Sequence, residues 1–168
     1  MATQYNLISS VTVGSGGAAN MEFTSIPATY TDLVVKITSR SSGADTSMVL
    51  TFNNSTSNRT SRYLFGTGTS ALSSSDTTMY ITSSVVPSTS TASTFGNAEL
   101  YIPNYAGSNY KSSSVDGVSE NNATASNMAL TANLWSDTSA ITSIKLTPVS
   151  GTDFVQYSTA YLYGISNA

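Results

Sequence analysis

Apolar and polar residues alternate with a period of two along most of this 168-residue chain. That is the spacing of strands with one face in a core and the other in water. In the segment 32–40, Leu33, Val35 and Ile37 share one face, while Lys36, Thr38 and Arg40 share the other. Met48, Leu50 and Phe52 repeat the pattern around an outward Thr51, and Ala98, Leu100 and Ile102 oppose Glu99 and Tyr101. Met128, Leu130, Ala132 and Leu134 continue the series, followed by Ile144 and Leu146 around an outward Lys145. At the start, Tyr5, Leu7, Val11 and Val13 are expected on one face and Ile8 on the other; at the end, Tyr157, Thr159, Tyr161 and Tyr163 oppose Ser158, Ala160 and Leu162. No segment sustains a 3.6-residue repeat, and Ser, Thr and Val are weak helix formers.

Clusters of Gly, Asn, Asp and Ser interrupt these runs at 14–17, 41–45, 53–58, 66–70, 73–76, 87–91, 104–109, 121–124 and 150–153. Such residues tolerate the backbone conformations that tight turns demand. About ten or eleven short strands with polar turns predict an all-β fold, an antiparallel two-sheet β-sandwich of jelly-roll-like form. With no linker visible, residues 1–168 are expected to make a single domain, with 1–4 as a polar arm. The stretch 83–94, with Pro87, is expected to be a long exposed loop. Segments 11–26 and 144–165 each read as strand, Ser-Gly turn, strand, and are expected to be two ordinary hairpins.

Composition changes the functional picture more than the fold. Ser and Thr make up about a third of the chain, His and Cys are absent, and 9% of residues are charged. The two side chains that most often titrate near neutral pH are therefore missing, so no enzymatic activity is expected. Six basic residues, scattered at Lys36, Arg40, Arg59, Arg62, Lys111 and Lys145, and a net charge of −3 argue against nucleic acid as a partner. Without Cys there is no disulfide, thiolate zinc site or Cys nucleophile. No apolar run approaches the roughly 20 residues of a membrane helix, so no membrane partner is expected. The opening Met1–Tyr5 lacks a basic stretch followed by an apolar core, so no secretory leader is expected. An apolar fraction of 39% and ten Tyr argue that the chain folds.

Candidate chemistry is sparse. Asp45, Asp76, Asp137 and Asp153 lie in turn signals, where Asp caps its own backbone. Asp32 and Glu99 flank apolar runs and could face a groove, but solvated turn and strand-face acids are the plainer expectation. No Gly-x-Ser-x-Gly elbow and no Asp-x-Asp-x-Asp loop occurs, and no metal or cofactor is expected; Asn121-Asn122 and Asp116-Gly117 read as turns rather than calcium ligands. The aromatic residues are more informative. Tyr101, Tyr105 and Tyr110 bracket the 103–109 turn, and Trp135 is the only Trp; these four are the candidates for protein-interface or glycan contact, against the plainer alternative of buried Tyr. Outward faces rich in Ser and Thr but poor in charge suit contact with protein or polysaccharide, because hydroxyls are easier to desolvate than ions. Such faces also leave edge strands lightly guarded.

Four segments carry a resemblance: Leu7–Gly17, Phe23–Leu33, Tyr101–Lys111 and Gln156–Ile165. Together they are similar to small virion proteins of tailed bacteriophages, including phages of cyanobacteria and other aquatic bacteria. The resemblance implies a structural virion protein of the capsid decoration or cement type. It implies a homotrimer on the outer capsid surface that bridges neighbouring capsomers, made in the host bacterial cytoplasm, with the major capsid protein as partner. Contact regions are expected at 1–4, 41–45 and 104–108. The alternative is a tail-attached protein that binds host surface polysaccharide through a groove containing Trp135 and some of Tyr101, Tyr105 and Tyr110.

Overall fold

The structure, a computed structural model, describes residues 4–120, 122 and 126–166. The expected arm at 1–4 lies outside it except for Gln4, and so does most of the 121–124 turn. Twelve strands form an antiparallel β-sandwich of two unequal sheets. The larger runs in the order β1 (Gln4–Thr12), β12 (Thr159–Ser166), β3 (Asp32–Ser39), β8 (Gly96–Ile102), β9 (Lys111–Val118), β10 (Met128–Trp135), β5 (Arg59–Gly66), β6 (Ala71–Asp76). The smaller runs β2 (Met21–Phe23), β11 (Ile144–Pro148), β4 (Met48–Phe52), β7 (Tyr80–Ile81). The chain changes sheet at every step from β1 to β5.

Most of the alternation translates directly. Leu33, Val35 and Ile37 of β3, Leu100 and Ile102 of β8, and Ala160 and Leu162 of β12 face Met48, Leu50 and Phe52 of β4 and Ile144 and Leu146 of β11 in one core. Removing these apolar faces from water is the main drive for closing the sandwich.

Five expectations change. First, the β1–β12 register shifts between Leu7 and Ser9, so an extra residue sits at Ile8. A bulge reverses which face follows it. Ile8 and Val11 therefore pack on the core, while Tyr5 and Leu7 are exposed. Second, segments 11–26 and 144–165 are not hairpins. Their strands lie in different sheets and pair with each other, β1 with β12 and β2 with β11. Third, residues 73–76 belong to strand β6 rather than to a turn.

Fourth, the stretch 83–94 is an exposed loop only in its second half. Ser83, Ser84, Val85 and Val86 are buried. The Ser39 hydroxyl donates to Ser84 O at 2.8 Å, and the Ser84 hydroxyl donates to Ile81 O at 2.8 Å. This backbone crosses a trough of small residues, Ala98, Gly117 and Ala129, that are cross-strand neighbours on β8, β9 and β10. Arg40 pins the remainder, donating to Ser88 O, Ser90 O, Thr91 O, Thr94 O and the Thr94 hydroxyl.

Fifth, β10 is inverted. Its apolar set, Met128 and Leu130 foremost, faces outward, and Thr131, Asn133 and Trp135 face the interior. The interior has a use for Asn133. The small sheet ends at β7, and the Asn133 side chain accepts from Tyr80 N–H (3.1 Å) and donates to Tyr80 O (2.9 Å). One amide thus satisfies both backbone groups at a free strand edge, which apolar side chains could not do.

Candidate interaction face

The outward residues of β9, β10, β5 and β6 form a regular grid. Leu130 stands opposite Leu64 on one side and Asp116 on the other. One step along, Met128 stands opposite Gly66, which faces Ala71; one step the other way, Ala132 stands between Ser114 and Arg62, and Arg62 faces Ser75. Leu64, Leu130 and Met128 are 61%, 63% and 64% exposed. The reverse side of the same wing is apolar too, because Phe65 pairs with Leu72, itself 49% exposed. β7 packs on β9 and β10, and β5 and β6 run on beyond it. The free edge, Ala71–Asp76, carries neither Lys nor Pro and has a single charge at its end.

Charge on this face is ordered. Lys36 and Glu99 form an ion pair on neighbouring strands, and Asp116 is the next residue across from Glu99. The ion pairs among the described residues are Lys36–Glu99 and Lys145–Glu22. Asp116 and Arg62, which flank the Leu64–Leu130 pair, are both exposed and outside these ion pairs.

The four aromatic candidates do not come together on one surface. Tyr101 lies on the outward face and donates its hydroxyl to Asp32 Oδ2 at 2.8 Å. That bond, with burial and the Asp32 charge, raises its pKa above the usual phenol value. Tyr105 is fully buried, donates to Pro27 O and accepts from Tyr30 N–H; burial pushes its hydroxyl up. Trp135 is 2% exposed, with its ring centroid 5.9 Å from that of Phe52 at 60°. Tyr110 alone is widely exposed, at 58%. Tyr105 and Trp135 are thus core residues, a correction to their candidacy for surface contact.

The expected contact turns are also anchored inward. In 41–45, Ser41 and Asp45 are buried. In 104–108, Tyr105 points into the core, and the buried Lys111 holds the turn by donating from Nζ to Gly107 O at 2.7 Å and to Asn109 O just beyond it. Burial lowers the Lys111 pKa, against the opposing pull of Asp137.

Four of the candidate acids are occupied as structural groups. Asp32 accepts from Tyr101 and from Asn104 N–H (2.9 Å), and Glu99 holds Lys36. Asp76 and Asp137 accept from Thr78 N–H and Ser139 N–H, two residues onward, as turn caps. Among the described residues, no group of three or more acidic side chains is placed to hold a metal ion. A cleft of about 310 Å³ opens between the sheets beside β7, lined among others by Tyr63, Asp76, Tyr80 and Thr82.

Sequence reasoning missed this face because it placed Met128 and Leu130 of β10 inward and assigned no strand to 59–66. The available signal was that Thr131 and Asn133 alternate with Trp135, and that Tyr63, Leu64 and Phe65 are apolar on both faces. Comparison of the chain with protein-family models, curated proteins and solved structures gives no match.

Proposed function

We propose that this chain is a non-enzymatic assembly protein, and that it serves as a structural component of a tailed-phage particle, decorating the outer shell. The observation that carries assembly is the outward apolar face of β10 and β5. Three large apolar side chains more than 60% exposed and adjacent in the sheet make a contiguous patch. Patches of that kind on soluble proteins mark interaction sites. The phage setting comes from the resemblance of Leu7–Gly17, Phe23–Leu33, Tyr101–Lys111 and Gln156–Ile165 to small virion proteins. Its action would be mechanical: several modest contacts to the major capsid protein combine by avidity, and preference for the assembled shell stabilises it by mass action. The test is rebinding. Purified chain added to shells stripped of it should bind and raise the temperature at which they rupture; absence of both effects refutes shell decoration.

A second function, binding of host surface polysaccharide, is favoured by the cleft at Tyr63, Asp76, Tyr80 and Thr82, which sets aromatic rings beside a carboxylate and a hydroxyl. Glycan-array binding abolished by Tyr80→Ala would support it, and an empty array would refute it.

A further inference from the structure

We propose that the outward face of β10 and β5 pairs with the same face of a second copy of this chain, across a two-fold axis lying in the interface. The proposal rests on the assembly role proposed above and names the partner of its apolar face. Two observations select a second copy. The first is charge complementarity within one patch. Arg62 and Asp116 flank the Leu64–Leu130 pair on different sides, and neither is in an ion pair of its own chain among the described residues. A self-complementary patch requires both signs on the same surface.

The second is register. Neighbouring strands lie about 4.8 Å apart, and alternate residues along a strand about 6.8 Å apart. On that grid, a single in-plane two-fold sets Arg62 of each copy against Asp116 of the other. The same operation brings Leu130 to within roughly 3 Å, in projection, of the other copy's Leu64 and sets Met128 over Ser73. Choosing the axis by charge alone therefore also superposes apolar on apolar. It leaves the longest exposed side chain over one of the shortest.

The area is sufficient for a pair. Leu64, Met128 and Leu130, with the smaller Ala71 and Ala132 beside them, expose roughly 400 Å² of apolar surface, about half of the roughly 800 Å² per partner in a standard interface. The surrounding Ser73, Ser75, Ser114, Arg62 and Asp116 supply a polar rim of the usual kind. The pairing is two-fold, where the resemblance implies a homotrimer.

Sedimentation equilibrium of the full chain tests this. The expected species at micromolar concentration has twice the 17.5 kDa mass of the chain. Leu130→Glu, at a position 63% exposed and outside the core, should give monomer that melts at the temperature of the unmutated chain diluted until it dissociates. Arg62→Glu and Asp116→Arg should each weaken pairing about tenfold or more, and the double reversal should recover most of that loss. The charge variants stand as an independent test should Leu130→Glu disturb the fold. A monomeric chain at all concentrations, a trimer, or a dimer indifferent to Leu130→Glu would overturn the proposal, as would a double reversal no tighter than the singles. A monomer that still binds stripped shells would overturn the pairing and leave shell decoration standing. A dimer that ignores shells would support the pairing and refute decoration.

Discussion

Replacing Gly117 with Ala tests the least expected packing in the sandwich, the burial of the 82–84 backbone against the large sheet. Gly117 faces inward between Ala98 and Ala129. A Cβ placed there would lie 2.2 Å from Thr82 O and 3.3 Å from Ser83 O. Ordinary carbon–oxygen contact begins a full ångström further out, so backbone must move rather than a flexible side chain. A Cβ placed on Gly96, one strand over, would likewise lie 2.5 Å from Ser84 O, so the same backbone is close to the sheet at two positions. Overpacking of this kind costs about 1–3 kcal/mol, and rigid backbone places the expected value at the upper end. In a domain of this size each kcal/mol lowers the melting temperature by about 2–4 °C, so Gly117→Ala should melt about 5–10 °C early. The sign is diagnostic, because without a clash Ala in a strand interior is favoured over Gly by roughly 0.5–1 kcal/mol. Gly14→Ala, with nothing within 4 Å of its Cβ, is the control. Thermal melts by circular dichroism in which Gly117→Ala equals or exceeds that control would refute the packing of 82–84.

Other parts of the fold give separate expectations. Arg40→Ala removes every tie from that side chain to residues 88–94; it should cost about 1–3 kcal/mol in urea unfolding and bring the first proteolytic cut into that segment. Trp135, the only Trp, should emit well to the blue of free indole and resist iodide quenching, and Trp135→Ala should cost about 3–5 kcal/mol. Burial pushes the Asp45 carboxyl up, but hydrogen bonds from Thr152 and Ser150 outweigh it and hold the pKa below 3.8. A depressed carboxylate contributes stability at higher pH that is lost as pH falls from about 3.8 through the folded value, so Asp45→Asn should flatten the unfolding free energy against pH in that range.

The strands β4, β8 and β11 were legible because each puts one apolar face on a single core, and β3 was legible from Leu33, Val35 and Ile37 although Val34 is buried on its other face. β1 was not, because Leu7 and Ile8 are both apolar and nothing marks which one the bulge displaces. β10 was read with the wrong face inward. Alternation fixes which residues share a face but not which face meets the core, and here the edge of β7 requires an amide at Asn133. Ser83 and Ser84 look like loop residues in sequence. Their burial depends on Gly96 and Gly117, distant positions whose missing side chains leave room for backbone. Tyr105 and Trp135 failed as surface candidates for a related reason: composition shows that an aromatic residue is present, and only the sandwich decides that its ring fills the core.

The proposed function makes this chain a particle component present at the density of a shell protein. Its most direct test is the copy number of the chain relative to the major capsid protein in purified virions, by quantitative mass spectrometry. Shell decoration predicts a fixed ratio near one copy per capsid subunit, or a comparable simple fraction. Absence from the particle, or a handful of copies per virion, would contradict it.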